Sequence, residues 1–384
     1  MLGVLYVLFA LYILFLITVK IYAPFWFHQP VYHTYEIYPR FVSRPYIKLP
    51  NIQHRRPNGY CDFRMKTQLV QDMAPAELSD VVSFLQTRSV DSEYFLYHIT
   101  SRSLQQQLTG ISFITLAYDS VPLKLEKILT GCIYSRPVYI SFKTLLFVAY
   151  FIECVATKIT KESRCLLQTH IYRTHEHLPD MKVHLFRKEV ELCIGIVPLV
   201  RCKTFTFLLR PTTMCNLAKG YFVHRISSKH LDTWKTLYRT IQERFVSVLP
   251  ELHMTIQWIS EERYKFYLLV SNQHIHGIYI FKDNLLTWDT PLQTKKNRTF
   301  QLQGSMKSPT CDSLFFFRGF LYALKQYLEE TKEMGILVAE TTSDNGIIIE
   351  RWKEKYSLHN ETDSAYYLYN LIHPTINANE FFSL

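Results

Sequence analysis

Nineteen residues without a charge, Met1 to Val19, come first in the chain, and the apolar run stops at Lys20. Such a run rises about 28 Å as a helix, close to the ~30 Å hydrocarbon core of a bilayer. A cleaved signal would carry a basic start and small residues at its cleavage point. Here Met1-Leu2-Gly3 has neither Lys nor Arg, and Tyr22-Ala23-Pro24-Phe25 is a poor cleavage point. The pattern predicts one membrane-spanning anchor over residues 1–22. Lys20, Arg40, Arg44, Lys48, Arg55 and Arg56 follow it, and the positive-inside bias then puts the bulk of the chain on the cytosolic side.

Behind the anchor the periodicity changes several times. Pro30, Pro39, Pro45, Pro50 and Pro57 rule out a long helix over 28–72, so an extended arm with turns is predicted. "AELSDVVSFLQT" (76–87) places Leu78, Val81, Val82 and Leu85 on one helical face, with Pro75 suited to the first turn. "SRSLQQQLTG" (101–110) predicts a second helix, ending on Gly110. "ISFITLAYD" (111–119), "KILTGCIYSRPVYISF" (127–142) and "LLFVAYFIECVAT" (145–157) are β-branched and aromatic and predict three strands. "SRCLLQTHIYRTHEH" (163–177) returns to helical spacing and "EVELCIGIVP" (189–198) reads as strand.

The second half predicts a helix over 233–248, strands over 254–260, 265–271 and 275–284, and a long helix over 313–335 closed by Gly335. A strand "ILVAE", a short helix over 347–356 and a strand over 365–372 complete it. The fold class is α/β (α+β): two halves of similar order sharing a mixed, saddle-shaped sheet. Helix, helix, three strands, helix, strand is similar to the order of GNAT-type acetyltransferases, where two strands splay apart to hold an acyl-CoA. The expected division is an anchor over 1–22, a first half over 23–209 that the GNAT resemblance makes the acyl-CoA-binding one, and a second half over 210–384.

Composition changes this picture in three respects. A formal charge of +10 favours an acidic partner: an anionic membrane or a phosphate-bearing cofactor. Basic runs never exceed a few residues, which argues against nucleic acid. The 26 Tyr and 26 Phe suit an aromatic core or a long apolar cavity, and the eight Cys, with no CxxC pair, read as reduced thiols.

Candidate chemistry is sparse. "ECVATKITKESRCL" (153–166) is a strand-to-helix turn carrying Lys158, Lys161 and Arg164, and a helix start with added cations suits a pyrophosphate; the same pattern also describes plain solvated surface. His170, His175 and His177 lack the spacing that puts two imidazoles on one helical face, so no metal site is predicted. No Ser-His-Asp elbow, phosphate-binding Gly-rich loop or dinucleotide fingerprint occurs.

"FWFHQPV" (25–31) resembles the F-W-x-x-Q-P-V signature of N-myristoyltransferases. "SVDSEYFLYHITS" (89–101) resembles that family's acidic loop, "FIECVATKITKESRCLLQTHIYR" (151–173) its acyl-CoA loop and helix, and "YYLYN" (366–370) its closing run. The similarity spans roughly residues 24–384, weakest over about 215–310. It implies a GNAT-like acyl-CoA N-acyltransferase with myristoyl-CoA or another acyl-CoA as co-substrate, no metal, and the N-terminal glycine of a protein as acceptor. A membrane-anchored form resembles what large DNA viruses carry.

Residue by residue, the resemblance implies that Phe25, Trp26 and Gln29 help to cover the acyl-CoA. Ile152 and Glu153, or Phe151 and Ile152, supply oxyanion-hole N–H groups. Cys154 and Val155 continue that strand, and Lys161, Arg164, Cys165 and Leu166 lie toward the pyrophosphate. Asp91, Glu93 and Tyr367 face the acceptor. The terminal carboxylate of Leu384 serves as the base. Fourteen residues follow "YYLYN", about two fewer than the resemblance implies, a difference of at most ~7 Å, so Leu384 reaches its place only by a straighter path. Glu162 stands where a small hydroxyl residue is expected. Three roles remain open: this transferase, another GNAT-type acyl transfer, and an inactive membrane scaffold or virion membrane protein.

Overall fold

The computed structural model describes the chain except residues 1, 43, 90–94, 109, 121–126, 159–161, 191, 210–216, 218, 273, 289–296, 332–334, 355 and 357. α1 (Leu2–Tyr22) is exposed along almost its whole length and is long and apolar enough to cross a membrane. It turns into α2 (Pro24–Phe27) through the Ala23 N–H, which donates to the Val19 carbonyl at 2.8 Å. Gly195, at φ +82°, lets this end approach closely: an added Cβ would lie 3.1 Å from Val19 Cγ1.

The arm that follows carries β1 (Tyr46–Ile47) and β2 (Lys66–Leu69). α3 (Pro75–Ser89), β3 (Phe95–Tyr97) and α4 (Ser101–Gln107) come next. α4 starts on a reciprocal cap: the Ser103 N–H donates to Thr100 Oγ1 at 3.1 Å and the Thr100 N–H to Ser103 Oγ at 2.7 Å. β4 (Phe113–Ser120), β5 (Lys127–Phe142), β6 (Leu145–Thr157), α5 (Glu162–His177), β7 (Val183–Glu189) and β8 (Val200–Leu208) complete the first stretch. β9 (Tyr221–Ile226), α6 (Leu231–Arg244), β10 (Val246–Leu249), α7 (Leu252–Ser260), β11 (Tyr264–Ser271), β12 (His274–Trp288) and β13 (Asn297–Lys307) follow. α8 (Ser313–Thr331), β14 (Gly335–Glu340), α9 (Asn345–Lys353), β15 (Leu358–Tyr369), β16 (Leu371–Ile372) and β17 (Phe381–Ser383) end the chain.

Fifteen of the described strands form one mixed sheet, running β17-β10-β5-β6-β7-β15-β8-β14-β13-β12-β11-β9, with β4 on β5, β2 on β4 and β3 on β12. β6–β7, β13–β14 and β10–β17 are parallel and the other pairs antiparallel. Pairing crosses position 210 repeatedly: β10 lies on β5, and β15 lies between β7 and β8. α5 packs Leu166, Leu167 and Ile171 against Ile133 and Ile152. α8 covers the far side with Phe316, Phe317 and Phe320 on Tyr279, Phe281 and Trp352.

Four sequence-based expectations fail locally. The helix expected over 233–248 stops at Arg244, and Val246–Leu249 is strand β10, paired with β5 and β17. Residues 254–260 are helical, because a short apolar run fits either period and here a helix buries Met254, Thr255, Trp258 and Ile259 together. The strand expected over 189–198 is a turn between β7 and β8, where Val190 takes φ +65° and Gly195 φ +82°. α8 ends at Thr331, and Gly335 instead begins β14, where an added Cβ would lie 2.3 Å from the Arg298 carbonyl oxygen.

Candidate active site

β6 and β7 run side by side only from Ala149↔Val183 to Ile152↔Phe186. Beyond that point β6 continues to Thr157 on β5, and β7 continues to Glu189 on β15, so the two parallel strands part. At the parting point Trp26 stacks on Phe186 (centroids 5.2 Å, planes 7° apart), and Phe186 stacks on Tyr367 at 5.3 Å. Phe25, 2% exposed, meets Trp26 and Tyr60 edge to face. Ile152, Leu166, Leu167, Ile171 and Tyr369 complete this apolar cluster.

The pairing of β5 with β6 slips at the same place. Tyr134 faces Cys154 and Ser135 faces Ile152, which leaves Glu153 as the extra residue of a bulge. A bulge re-aims its side chain, and Glu153 turns into the protein. Its Oε1 accepts from Arg136 Nε at 2.6 Å and its Oε2 from Gln107 Nε2 at 2.5 Å. Burial alone would raise the Glu153 carboxyl; the attraction of Arg136, with Lys282 and Arg263, outweighs it and holds the group at about 2.

Arg136 also reaches the end of the chain. Its Nη2 donates to the main-chain oxygen of Leu384 at 2.9 Å. The guanidinium lies 4.8 Å from the Trp258 ring centroid and 5.5 Å from that of Phe151. Leu384 is 2% exposed, and its N–H donates to the Val248 carbonyl at 3.0 Å. β17 runs parallel to β10 with Phe381 opposite Val246. Gln303 Nε2 caps the Ser383 carbonyl at 3.1 Å.

No family profile matches the chain, and no curated protein matches it. Solved structures do. One set of crystal structures of Saccharomyces cerevisiae N-myristoyltransferase with bound myristoyl-CoA aligns over 92% of this chain and 89% of that one, at a TM-score of 0.70 and 15% identity. A second structure of that enzyme with myristoyl-CoA covers 93% and 94% at 0.68 and 15% identity, and a third, with myristoyl-CoA and inhibitors, 92% and 91% at 0.71 and 14%. This chain has the N-myristoyltransferase fold.

Within the N-myristoyltransferase fold the sequence candidates separate into groups. Phe25, Trp26, Ile152, Leu166 and Tyr367 come together at the parting strands, with the Cys193 N–H donating to Tyr367 Oη at 3.0 Å. Gln29 lies deeper, its Oε1 accepting from Tyr369 Oη at 3.1 Å. Phe151 packs toward Tyr366, at 6.5 Å between centroids, and Cys154 toward the cluster holding Cys132 and Tyr134. Val155 and Arg164 are exposed, and Cys165 is half-buried on α5. Asp91, Glu93 and Lys161 lie outside the described residues. Gly131 lets α5 come close: an added Cβ would lie 3.4 Å from Leu166 Cδ2 and 3.2 Å from Thr157 Cγ2.

Sequence reasoning missed Arg136, Gln107, Trp258 and Phe186. Arg136 alone left a trace, as an isolated charge within the apolar strand "KILTGCIYSRPVYISF". The histidines prove structural. His170 lies between Thr115 Oγ1 (2.8 Å) and Ser135 Oγ (2.7 Å), and burial lowers it to about 3; His175, lowered to about 4 for the same reason, packs on His184. The seven described cysteines are free thiols.

Proposed function

We propose that the protein is a membrane-anchored acyltransferase of the N-myristoyltransferase type, moving a fatty acyl group from acyl-CoA to the N-terminal glycine amine of a protein. The main support is the buried end of Leu384 beside the Glu153 bulge, in a fold shared with enzymes crystallised with myristoyl-CoA. In this proposal Phe25, Trp26 and Phe186 cover the acyl-CoA, and Arg164, Cys165 and Leu166 with Lys161 lie toward its phosphates. The half over 23–209 holds the acyl-CoA, and that over 210–384 receives the acceptor.

The chemistry asked of the chain is modest. Main-chain N–H groups at Ile152, the last residue of β6 in register with β7, and at Glu153 just beyond it, polarise the thioester carbonyl and receive the charge that develops on its oxygen. The Leu384 carboxylate attracts the acceptor's ammonium and takes a proton from it, so the free amine attacks the carbonyl carbon. The C–N bond forms and the C–S bond breaks. Of the two protons the nitrogen loses, one ends on the CoA thiol and one in water. α1 holds this site near a bilayer, with the bulk of the chain on the cytosolic side.

The test uses the full chain in detergent, with an untagged C-terminus, myristoyl-CoA and a peptide beginning with glycine, followed by mass spectrometry. Acylated peptide that vanishes when residues are added after Leu384 supports the transferase and its base together. Activity that survives the extension removes the carboxylate from the mechanism. Bound acyl-CoA without product favours the second reading, a silent scaffold, which rests on Glu162 in the first turn of α5, a carboxylate where phosphate would lie.

A further inference from the structure

The end of the chain is held at three levels. Val248 fixes the Leu384 N–H, Gln303 fixes the Ser383 carbonyl, and Arg136 alone among these reaches the terminal group itself. Arg136 comes from the middle of β5 and is 1% exposed. A guanidinium buried to that degree needs a counter-charge, and Glu153 supplies it from the bulge, itself held by Gln107. One cation therefore joins the two features that the acyl-transfer reading treats separately, the bulged strand and the tail.

We propose that Arg136 is a positioning residue that clamps the main-chain carboxylate of Leu384, and that Glu153 neutralises Arg136 so that the clamped carboxylate keeps its full negative charge and its basicity. The clamp is drawn from the Arg136 bond to the Leu384 main-chain oxygen; the free carboxylate there, and its purpose, rest on the acyl-transfer reading. The reason for a third partner is electrostatic. A carboxylate against a lone buried guanidinium binds protons weakly and attracts an ammonium weakly, because the cation already satisfies it. With Glu153 ionised, the Arg136–Glu153 pair sums to zero and Leu384 brings a net charge of −1. Trp258 and Phe151 hold the guanidinium over their faces.

Other titratable groups facing the cluster are Arg263 behind α7, Lys282 on β12, Tyr97 on β3, Tyr134 on β5, Cys154 on β6 and Tyr238 on α6. Burial raises the phenols of Tyr97, Tyr134 and Tyr238, so they stay neutral at physiological pH. Over the range where a terminal carboxylate titrates, the ionisation that can be altered by design is that of Glu153.

The experiment follows the Leu384 carboxyl carbon by 13C NMR across pH in the full chain in detergent, together with its release by carboxypeptidase. Glu153→Gln leaves Arg136 uncompensated, and the Leu384 carboxyl is expected to titrate about one unit lower. Arg136→Ala alone strands Glu153 and risks unfolding, so the companion variant is Arg136→Met with Glu153→Leu, which removes both charges at similar volume. In that variant Leu384 is expected to titrate as a free α-carboxyl, about 3.3–3.7, and to be released at least about ten-fold faster than in the parent. Unchanged titration in Glu153→Gln, or unchanged release in the double variant, overturns the clamp. If both shifts occur while the parent forms no acylated peptide, the clamp is upheld and the transferase reading is what fails. If the parent is active, Glu153→Gln moves the acidic limb of kcat/KM downward in step with the carboxyl; an unmoved limb removes Arg136 and Glu153 from proton transfer.

Discussion

Two arginine–glutamate pairs, one buried and one reaching the surface through its arginine, lie on the same sheet and end in different places. Arg187 on β7 pairs with Glu340 on β14; Glu340 also accepts from Tyr366 Oη at 2.9 Å, and Arg187 donates to Thr204 Oγ1 at 3.2 Å. Its partners are all side chains, including the exposed Glu189 on β7 itself, and none is a main-chain end. Arg136 and Glu153 share a similar ion pair, but one end finishes on the main chain at Leu384 and the other at a bulge where two strands part. A buried ion pair says little about stability, because desolvation offsets most of the attraction. What the pair is attached to says more about its purpose.

The sharpest way to break the comparison is to remove each arginine. On the acyl-transfer proposal, Arg136→Met with Glu153→Leu should lower kcat/KM by about 100-fold or more, as expected when a group that positions the base is lost. Arg187→Ala should leave turnover of the folded protein within a few-fold while costing about 3–5 kcal/mol in urea denaturation, because Glu340 is left buried and unpaired. Equal losses of activity from both would erase the distinction drawn between them.

A second, smaller contrast is in pH. The Glu153 carboxyl is lowered from 4.5 to about 2 in the fold, so its contribution to stability is present above about 4.5 and lost as pH falls through 2. His170 and His175 are lowered from 6.5 to about 3 and 4, so the unfolded chain gains protons first and stability declines already as pH drops below 6.5. Denaturation midpoints should therefore fall between pH 7 and 5, and His175→Phe should flatten that slope. A slope unchanged by His175→Phe would remove this histidine from the acid response.

The smallest effect concerns the aromatic mouth. On the acyl-CoA proposal, Trp26→Ala removes the stacking on Phe186 and should weaken acyl-CoA binding about ten-fold, equivalent to ~1.4 kcal/mol, with some loss of fold stability because the ring packs on the buried cluster. Isothermal titration with myristoyl-CoA would check it, and unaltered affinity would place the acyl-CoA elsewhere.

Much of this protein is legible in its sequence, for local reasons. Residues 2–22 form one helix because their apolar run satisfies its own backbone and demands little from the rest of the chain. The order of α3 through α5 follows from a periodicity of 3.6 or 2 read over ten residues. "FWFHQPV" marked the aromatic cluster correctly, because Phe25 and Trp26 are adjacent and stay adjacent in the fold. The same local rules misread residues 254–260, where a helix buries Met254, Thr255, Trp258 and Ile259 and Trp258 stacks on Tyr264 at 5.1 Å.

Only the tertiary structure could join Arg136, Glu153 and Leu384. Arg136 and Leu384 stand 248 positions apart, and no period links them. They meet because β10 crosses onto β5 and carries β17 beside it, a pairing fixed by burial of both faces of the sheet. Glu153 turns inward because a one-residue slip against β5 re-aims it, a displacement that strand alternation cannot encode. Hydrophobic pattern is a property of neighbours along the chain, and it determined the apolar N-terminal helix, most of the other helices and the aromatic cluster. The charge arrangement at the site is a property of neighbours across the sheet, where a buried guanidinium is tolerated only once the whole fold has brought its partners to it.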